Sequence, residues 1–320
     1  MMTVKTEKIH CITIPTPFLV GPVNCYLIEG AVLTLVDTGP KTEEGLNVLK
    51  SRIKEIGYTM NDIEQIVLTH HHPDHVGLTA SFPHAKVIGH KLNQLWLSRD
   101  RVFFEQYASY FKTFYMQHGL SENQLKVIER SSLGYLHFVD RTNVDIFISE
   151  GDTLPGLPHW QVVETPGHAQ SHLFFIRDTD RMAIGGDVLL ASVSSNALLE
   201  APLDGEERPK TLLQYRDSLQ KLKDLDIKEL YTGHGEKIKD VAALVDKRLA
   251  SQEERAKVIY GHLKEGPMTV NELGAKMFGR SHEKQPELTF SEVFGHLDLL
   301  VQDELVSEVN DGDFIYFKAK

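Results

Sequence analysis

Residues 66–77 read IVLTHHHPDHVG, and the six consecutive positions 70–75 hold four histidines and one aspartate. The apolar residues before them predict a buried strand that runs straight into a loop of imidazoles and a carboxylate. Such a loop beside a core needs partners for its ring nitrogens, and imidazole with carboxylate is the donor set of a borderline cation such as zinc. His70 and His72 lie two apart, so in extended backbone both side chains point to one side. Asp74 and His75 come one short turn later, near the start of a predicted helix. One loop can therefore serve two metal positions.

Three further candidates stand in the same local setting, just beyond the end of a β-type run: His168 in ETPGH, Asp187 in IGGD and His234 in YTGHG. Strand ends on one edge of a sandwich face one another, and the adjoining glycines allow tight turns and close approach of backbone to an ion. A merely solvated histidine loop would not explain four separate segments ending alike. Asp37, in LVDTG, reads either as a strand end with an Asx-type turn or as a partner that orients a ligand histidine. His71, between two candidates, is expected to point away from them and pack. His172, four after His168, is expected to be hydrogen-bonded support rather than a ligand.

The rest of the chain supports a soluble globular protein. Its 320 residues are 41% hydrophobic, enough for a large core without disulfides, and the length suggests two domains. A formal net charge of -11 would repel a phosphate backbone, so nucleic acid is not an expected partner. Cys11 and Cys25 read as small buried residues of a reducing compartment. No signal peptide is visible, and the uncharged stretch 10–28 is broken by Pro15, Pro17, Gly21 and Pro22, so it predicts strands rather than a membrane helix. A cytoplasmic location without membrane contact is the expectation.

Along the chain, short β-type runs alternate with helices, an α/β pattern. Thr42 as cap and Gly57 as stop bound a helix with apolar positions at Leu46, Leu49, Ile53 and Ile56. Residues 91–143 read as a helical insertion, and 10 of the chain's 27 aromatic residues fall between 90 and 143. Strands then resume, followed by helices near 210–225 and 240–264. The composition divides the chain into a first domain over 1–250 and a second over 251–320, where three predicted helices and a hairpin make a small winged-helix-like unit.

The H-x-H-x-D-H motif at His70, His72, Asp74 and His75, the later His168, Asp187 and His234, and LVDTG at 35–39 together resemble the metallo-β-lactamase superfamily, particularly its glyoxalase II-like hydrolases. The resemblance covers roughly 9–235, interrupted by the insertion. It implies an αββα sandwich with two divalent metal ions at its edge, zinc first, with manganese or iron as alternatives. By motif position it implies that His70, His72 and His168 hold one ion, that Asp74, His75 and His234 hold the other, and that Asp187 bridges them. The family's true zinc β-lactamases usually carry a cysteine in the second site, whereas neither cysteine here lies in the later motifs.

Two such ions sharing a water yield a bridging hydroxide at neutral pH, with Asp74 in position to orient it. The expected activity is hydrolysis of a small-molecule ester, thioester or lactone. The alternatives are a metal-dependent single-strand ribonuclease, because some superfamily members with that activity share a winged-helix tail, and an iron-dependent redox enzyme of the same superfamily. Residues 251–320 carry 8 Lys or Arg against 13 Asp or Glu, a poor phosphate-binding balance. For the aromatic insertion the expectations are a lid over the site, packing against the parent domain, or the face of a homodimer.

Overall fold

The computed structural model describes residues 7–203 and 205–320. Its first sheet runs in the order β1 (Lys8–Ile14), β2 (Val23–Glu29), β3 (Thr34–Val36), β4 (Gln65–Val67), β5 (Lys86–Gly89) and β6 (Ile146–Phe147). The first two pairings are antiparallel and the remaining three parallel. The second sheet holds β7 (Thr153–Leu154), β8 (Leu157–Glu164), β9 (Leu173–Arg177), β10 (Met182–Ile184) and β11 (Glu229–Tyr231), with β11 joining parallel to β10.

The two sheets pack face to face. Tyr26, Val36, Val67 and Ile88 of the first meet Trp160, Phe175, Ile184 and Tyr231 of the second in one apolar layer. Tyr26 carries a hydroxyl into that layer and donates it to the Thr232 carbonyl at 2.6 Å, so the buried polar atom keeps a partner. On the outer face of the first sheet lies α1 (Glu43–Ile56), whose Leu49 and Ile53 sit among Ile12, Leu35 and Ile66. Thr42 caps it by accepting the Gly45 amide at 2.9 Å, and Gly57 ends it in the left-handed region at φ 114°. On the outer face of the second sheet, α6 (Thr211–Asp224) and α7 (Val241–Leu263) bury Tyr215, Leu219 and Val245 against Phe174 and Leu230. The layers are helix, sheet, sheet, helix.

The edge that carries the histidine loop is made where strands end. The strand that leads into the histidine loop stops as a ladder at Val67. Leu68 still bonds to Ile88, but the Thr69 amide turns to the Asp37 carboxylate at 2.9 Å and leaves the sheet. The chain then enters α2 (Pro73–Val76), with Pro73 at its first position. Across the edge, Asn24 at the start of β2 donates its side-chain amide to the carbonyls of Thr232 and Gly235, which pins the loop carrying His234.

The insertion contains α3 (Lys91–Leu97), α4 (Arg101–Gln117) and α5 (Glu122–Tyr135), and the tail contains α8 (Val270–Phe278), α9 (Arg280–Lys284), α10 (Pro286–Gln302) and the hairpin β12 (Val306–Asn310) with β13 (Ile315–Ala319). Insertion and tail form one core: Phe111, Tyr115, Leu125 and Ile128 pack with Phe290, Phe294, Leu297 and Phe317. Phe114 and Tyr115 meet Phe290 at ring distances of 6.0 and 4.8 Å. Much of the aromatic stripe is thus buried against the C-terminal tail, rather than only against the parent domain as expected. α7 runs unbroken through residue 250, where composition divides the sequence. Cys25 is buried, but Cys11 is exposed, because it lies on the open face of edge strand β1; this corrects the expectation that both are buried. Among the described residues no helix is long and apolar enough to cross a membrane.

Candidate metal centre

All seven residues marked by the sequence converge at this edge. Ligand atoms of His70, His72 and His168 lie within 4.8 Å of one another, as do those of His70, His75 and Asp187, and those of Asp74, His75 and His234. Asp187 is central: its Oδ1 is 3.3 Å from His75 Nε2, and its Oδ2 is 3.6 Å from His168 Nε2 and 3.5 Å from His234 Nε2. His234 Nε2 also faces Asp74 Oδ2 at 3.3 Å.

Three of the rings are held from behind, which decides which nitrogen faces inward. His75 Nδ1 donates to Asp37 Oδ2 at 2.7 Å, His168 Nδ1 to the Asn196 carbonyl at 2.8 Å, and His234 Nδ1 to the Pro22 carbonyl at 2.8 Å. With a proton held on Nδ1, Nε2 is the nitrogen turned towards Asp187, and it offers its lone pair to a cation once it carries no proton of its own. Those three Nε2 atoms and Asp187 Oδ1 are buried with no hydrogen-bond partner among the described residues. Unpaired buried polar atoms are rare and cost about 1–3 kcal/mol each, so four in one cluster fit a site built for cations.

Asp37 is an orienting residue. It sits at φ 59°, unusual for a residue with a side chain. The turn it makes brings its carboxylate back onto the Thr69 amide, the Thr69 hydroxyl and His75. His172 does not offer a free nitrogen: its ring bonds Thr165 Oγ1 at 2.7 Å and accepts the Asp187 amide at 3.1 Å, so it holds the backbone of the central carboxylate. His71 turns away, as expected, and stacks on Trp96 at 4.3 Å with its Nδ1 on Ser171. Gly233 is required here. A Cβ at that position would stand 2.0 Å from Asp187 Oδ1.

The electrostatics separate the rings into two kinds. Burial, helped by neighbouring imidazoles, holds His70 and His72 well below the ordinary histidine range, so both are neutral. Burial also opposes charge on His75 and His234, but Asp187 and the other nearby carboxylates outweigh it. His75 is raised well above the ordinary range and His234 to about 10. The same pairing, against the effect of burial, holds Asp187 well below the usual carboxylate range.

The backbone carbonyls of Pro22 and Asn196 went unnoticed in the sequence, since a backbone acceptor leaves no residue signature. Ser195, 3.0 Å from His168 Nδ1, is equally silent.

The family model for the Metallo-beta-lactamase superfamily matches residues 19–234, two thirds of the chain and every candidate ligand. The protein belongs to that superfamily. It is 38% identical over 315 residues to the Probable metallo-hydrolase YqjP of Bacillus subtilis, with 98% of each chain covered. A solved metallo-beta-lactamase family protein from Thermus thermophilus superposes with a TM-score of 0.83 at 27% identity, again covering 98% of both chains. A more distant relative, the Atrochrysone carboxyl ACP thioesterase of Passalora fulva, is 24% identical over 277 residues, covering 83% of this chain and 66% of its own. In class, this superfamily member is a metal-binding hydrolase.

Proposed function

We propose that the protein is a dinuclear-metal hydrolase that cleaves a small-molecule ester, thioester or lactone. The observation that carries this reading is the cluster of inward-facing, partnerless ligand atoms: His75 Nε2, His168 Nε2, His234 Nε2 and Asp187 Oδ1. In this reading His70, His72 and His168 hold one ion, Asp74, His75 and His234 hold the second, and Asp187 lies between them. Zinc suits this donor set first, with manganese or iron compatible. Held by these residues, such ions would supply a water of lowered pKa, towards about 7, and polarisation of a carbonyl oxygen.

The chain's own groups do the rest. Asp37, Asn196 and Pro22 fix the rings so that no reorganisation is needed when charge develops. Asp74, whose carboxylate faces His234, would accept a hydrogen bond from the attacking water and orient it. The relative named as a thioesterase supports a carbonyl substrate. The tail argues against nucleic acid: α10, the helix a winged-helix-like unit would use to read a groove, contains no Lys or Arg, and most of its residues are buried. Its role in this reading is to brace the insertion.

The test is elemental analysis of protein purified without added metal, together with turnover of thioester, lactone, ester and phosphodiester substrates. Nearly two zinc or manganese ions per chain and carbonyl-substrate turnover lost in Asp187→Ala support the proposal. One iron per chain without hydrolysis would replace it with redox chemistry, and phosphodiester cleavage alone with a nuclease.

A further inference from the structure

Beside the ligand loops lies a cavity of about 50 Å³. Leu95, Trp96, Phe103, Gln170, Glu200 and Glu206 contribute to its walls. It adjoins the metal centre on two sides: Trp96 stacks on His71, between His70 and His72, and Gln170 stands two residues after His168. The volume accommodates a group of a few heavy atoms, which is a head group rather than a long acyl chain.

The wall chemistry is one-sided. Glu200 is only 9% exposed. Its Oε1 accepts the Gln170 amide at 2.6 Å, and its other oxygen has no bond among the described residues. No described Lys, Arg or His pairs with Glu200 or Glu206. Arg208, close in sequence, is turned away onto Asp298 at 2.6 Å and over the Phe294 ring at 4.5 Å. Burial, against the pull of the Gln170 amide, pushes the Glu200 carboxyl up to about 7. A buried carboxylate without a counter-ion gains most from a cation brought by a ligand. Indole and phenyl rings favour the same charge.

We propose that this cavity is a specificity subsite that takes an ammonium head group of the substrate, with Glu200 as counter-ion and Trp96 and Phe103 as aromatic walls. The inference rests on the hydrolase reading in one respect, that the bond cleaved lies at the adjoining metal centre. Glu200 is a binding residue and takes no part in bond cleavage.

The test uses the full metal-loaded chain and two matched thioesters, one with an acyl chain ending in trimethylammonium and the other in the isosteric tert-butyl group. The wild type is expected to favour the ammonium thioester roughly tenfold or more in kcat/KM, the scale of one desolvated ion pair with its aromatic contacts. That preference collapses towards one in Glu200→Gln, which still offers an oxygen to the Gln170 amide, and falls by a smaller factor in Glu206→Gln, which covers the case that the first variant fails to fold. No preference in the wild type, or a preference unchanged in both variants, overturns the subsite.

Direct binding of tetramethylammonium, with tert-butanol as neutral control and followed by ligand-observed NMR, separates the two proposals. Tetramethylammonium binding that weakens in Glu200→Gln without turnover of either thioester, or of the matching esters and lactones, keeps the subsite and removes the proposed carbonyl-substrate activity. Turnover of both thioesters alike, with no tetramethylammonium binding, does the reverse.

Discussion

Asp37 holds a left-handed backbone conformation that costs of order 1 kcal/mol for a residue with a Cβ. The cost persists because one carboxylate satisfies the Thr69 amide, the Thr69 hydroxyl and His75 Nδ1 together. Asp37→Ala should therefore leave the sandwich folded while releasing the His75 ring, and metal affinity should fall about 10- to 100-fold. Competition with a chromophoric chelator measures this, and wild-type affinity in the variant would remove Asp37 from the site. Gly233→Ala acts from the opposite side. Its methyl would occupy the space of Asp187 Oδ1, so we expect metal content to drop to one ion or fewer per chain, with the circular dichroism spectrum unchanged. A variant that loads two ions would show that the loop carrying His234 can yield by more than an ångström. These two positions differ in how readable they were. Asp37 stood in a recognisable motif with two open roles, whereas the need for glycine at 233 comes from a contact with a residue 46 positions away.

At the scale of elements, the informative feature is that α4 and α10 share one core although 168 residues lie between them. The sequence showed an aromatic-rich helix and an apolar C-terminal helix separately. Nothing in either period names its partner, because helical spacing says which face is buried and not against what. Local signals did better: Thr42 and Gly57 bound α1 where capping chemistry puts them, and the histidine loop follows β4 as its pattern implies. The composition change near 250 falls inside a continuous helix, since α7 passes from one apolar environment to another without a breaker. The shared core carries a prediction. Phe290 is fully buried against Phe114 and Tyr115, so Phe290→Ala should cost about 3–5 kcal/mol locally. Hydrogen exchange should then show faster opening in α4 and α5 as well as in α8 and α10. Loss of protection confined to the tail would mean that the insertion stands on its own.

The molecule as a whole couples ion loading to pH. In the metal-free protein, burial works against charge on His75 and His234, but Asp187 and its neighbouring carboxylates prevail, and His234 reaches about 10 from an ordinary value of 6.5. A folded-state pKa raised in this way contributes stability that is fully present below about 6.5 and is lost as the pH rises through about 10. Ions bound by the same nitrogens displace those protons, so loading should release protons and tighten as the pH rises. Ions at 1,000 times their Kd add about 4 kcal/mol of stability. The melting temperature of chelator-treated protein should therefore fall between pH 6.5 and 10 while that of the loaded protein falls less, and the gap between them should widen. Differential scanning calorimetry at several pH values, with and without chelator, reads this directly. A gap that stays constant or narrows with rising pH would mean that the ions do not occupy the space between Asp187 and the two charged rings, and would require a different ligand set from the one assigned to this edge of the sandwich.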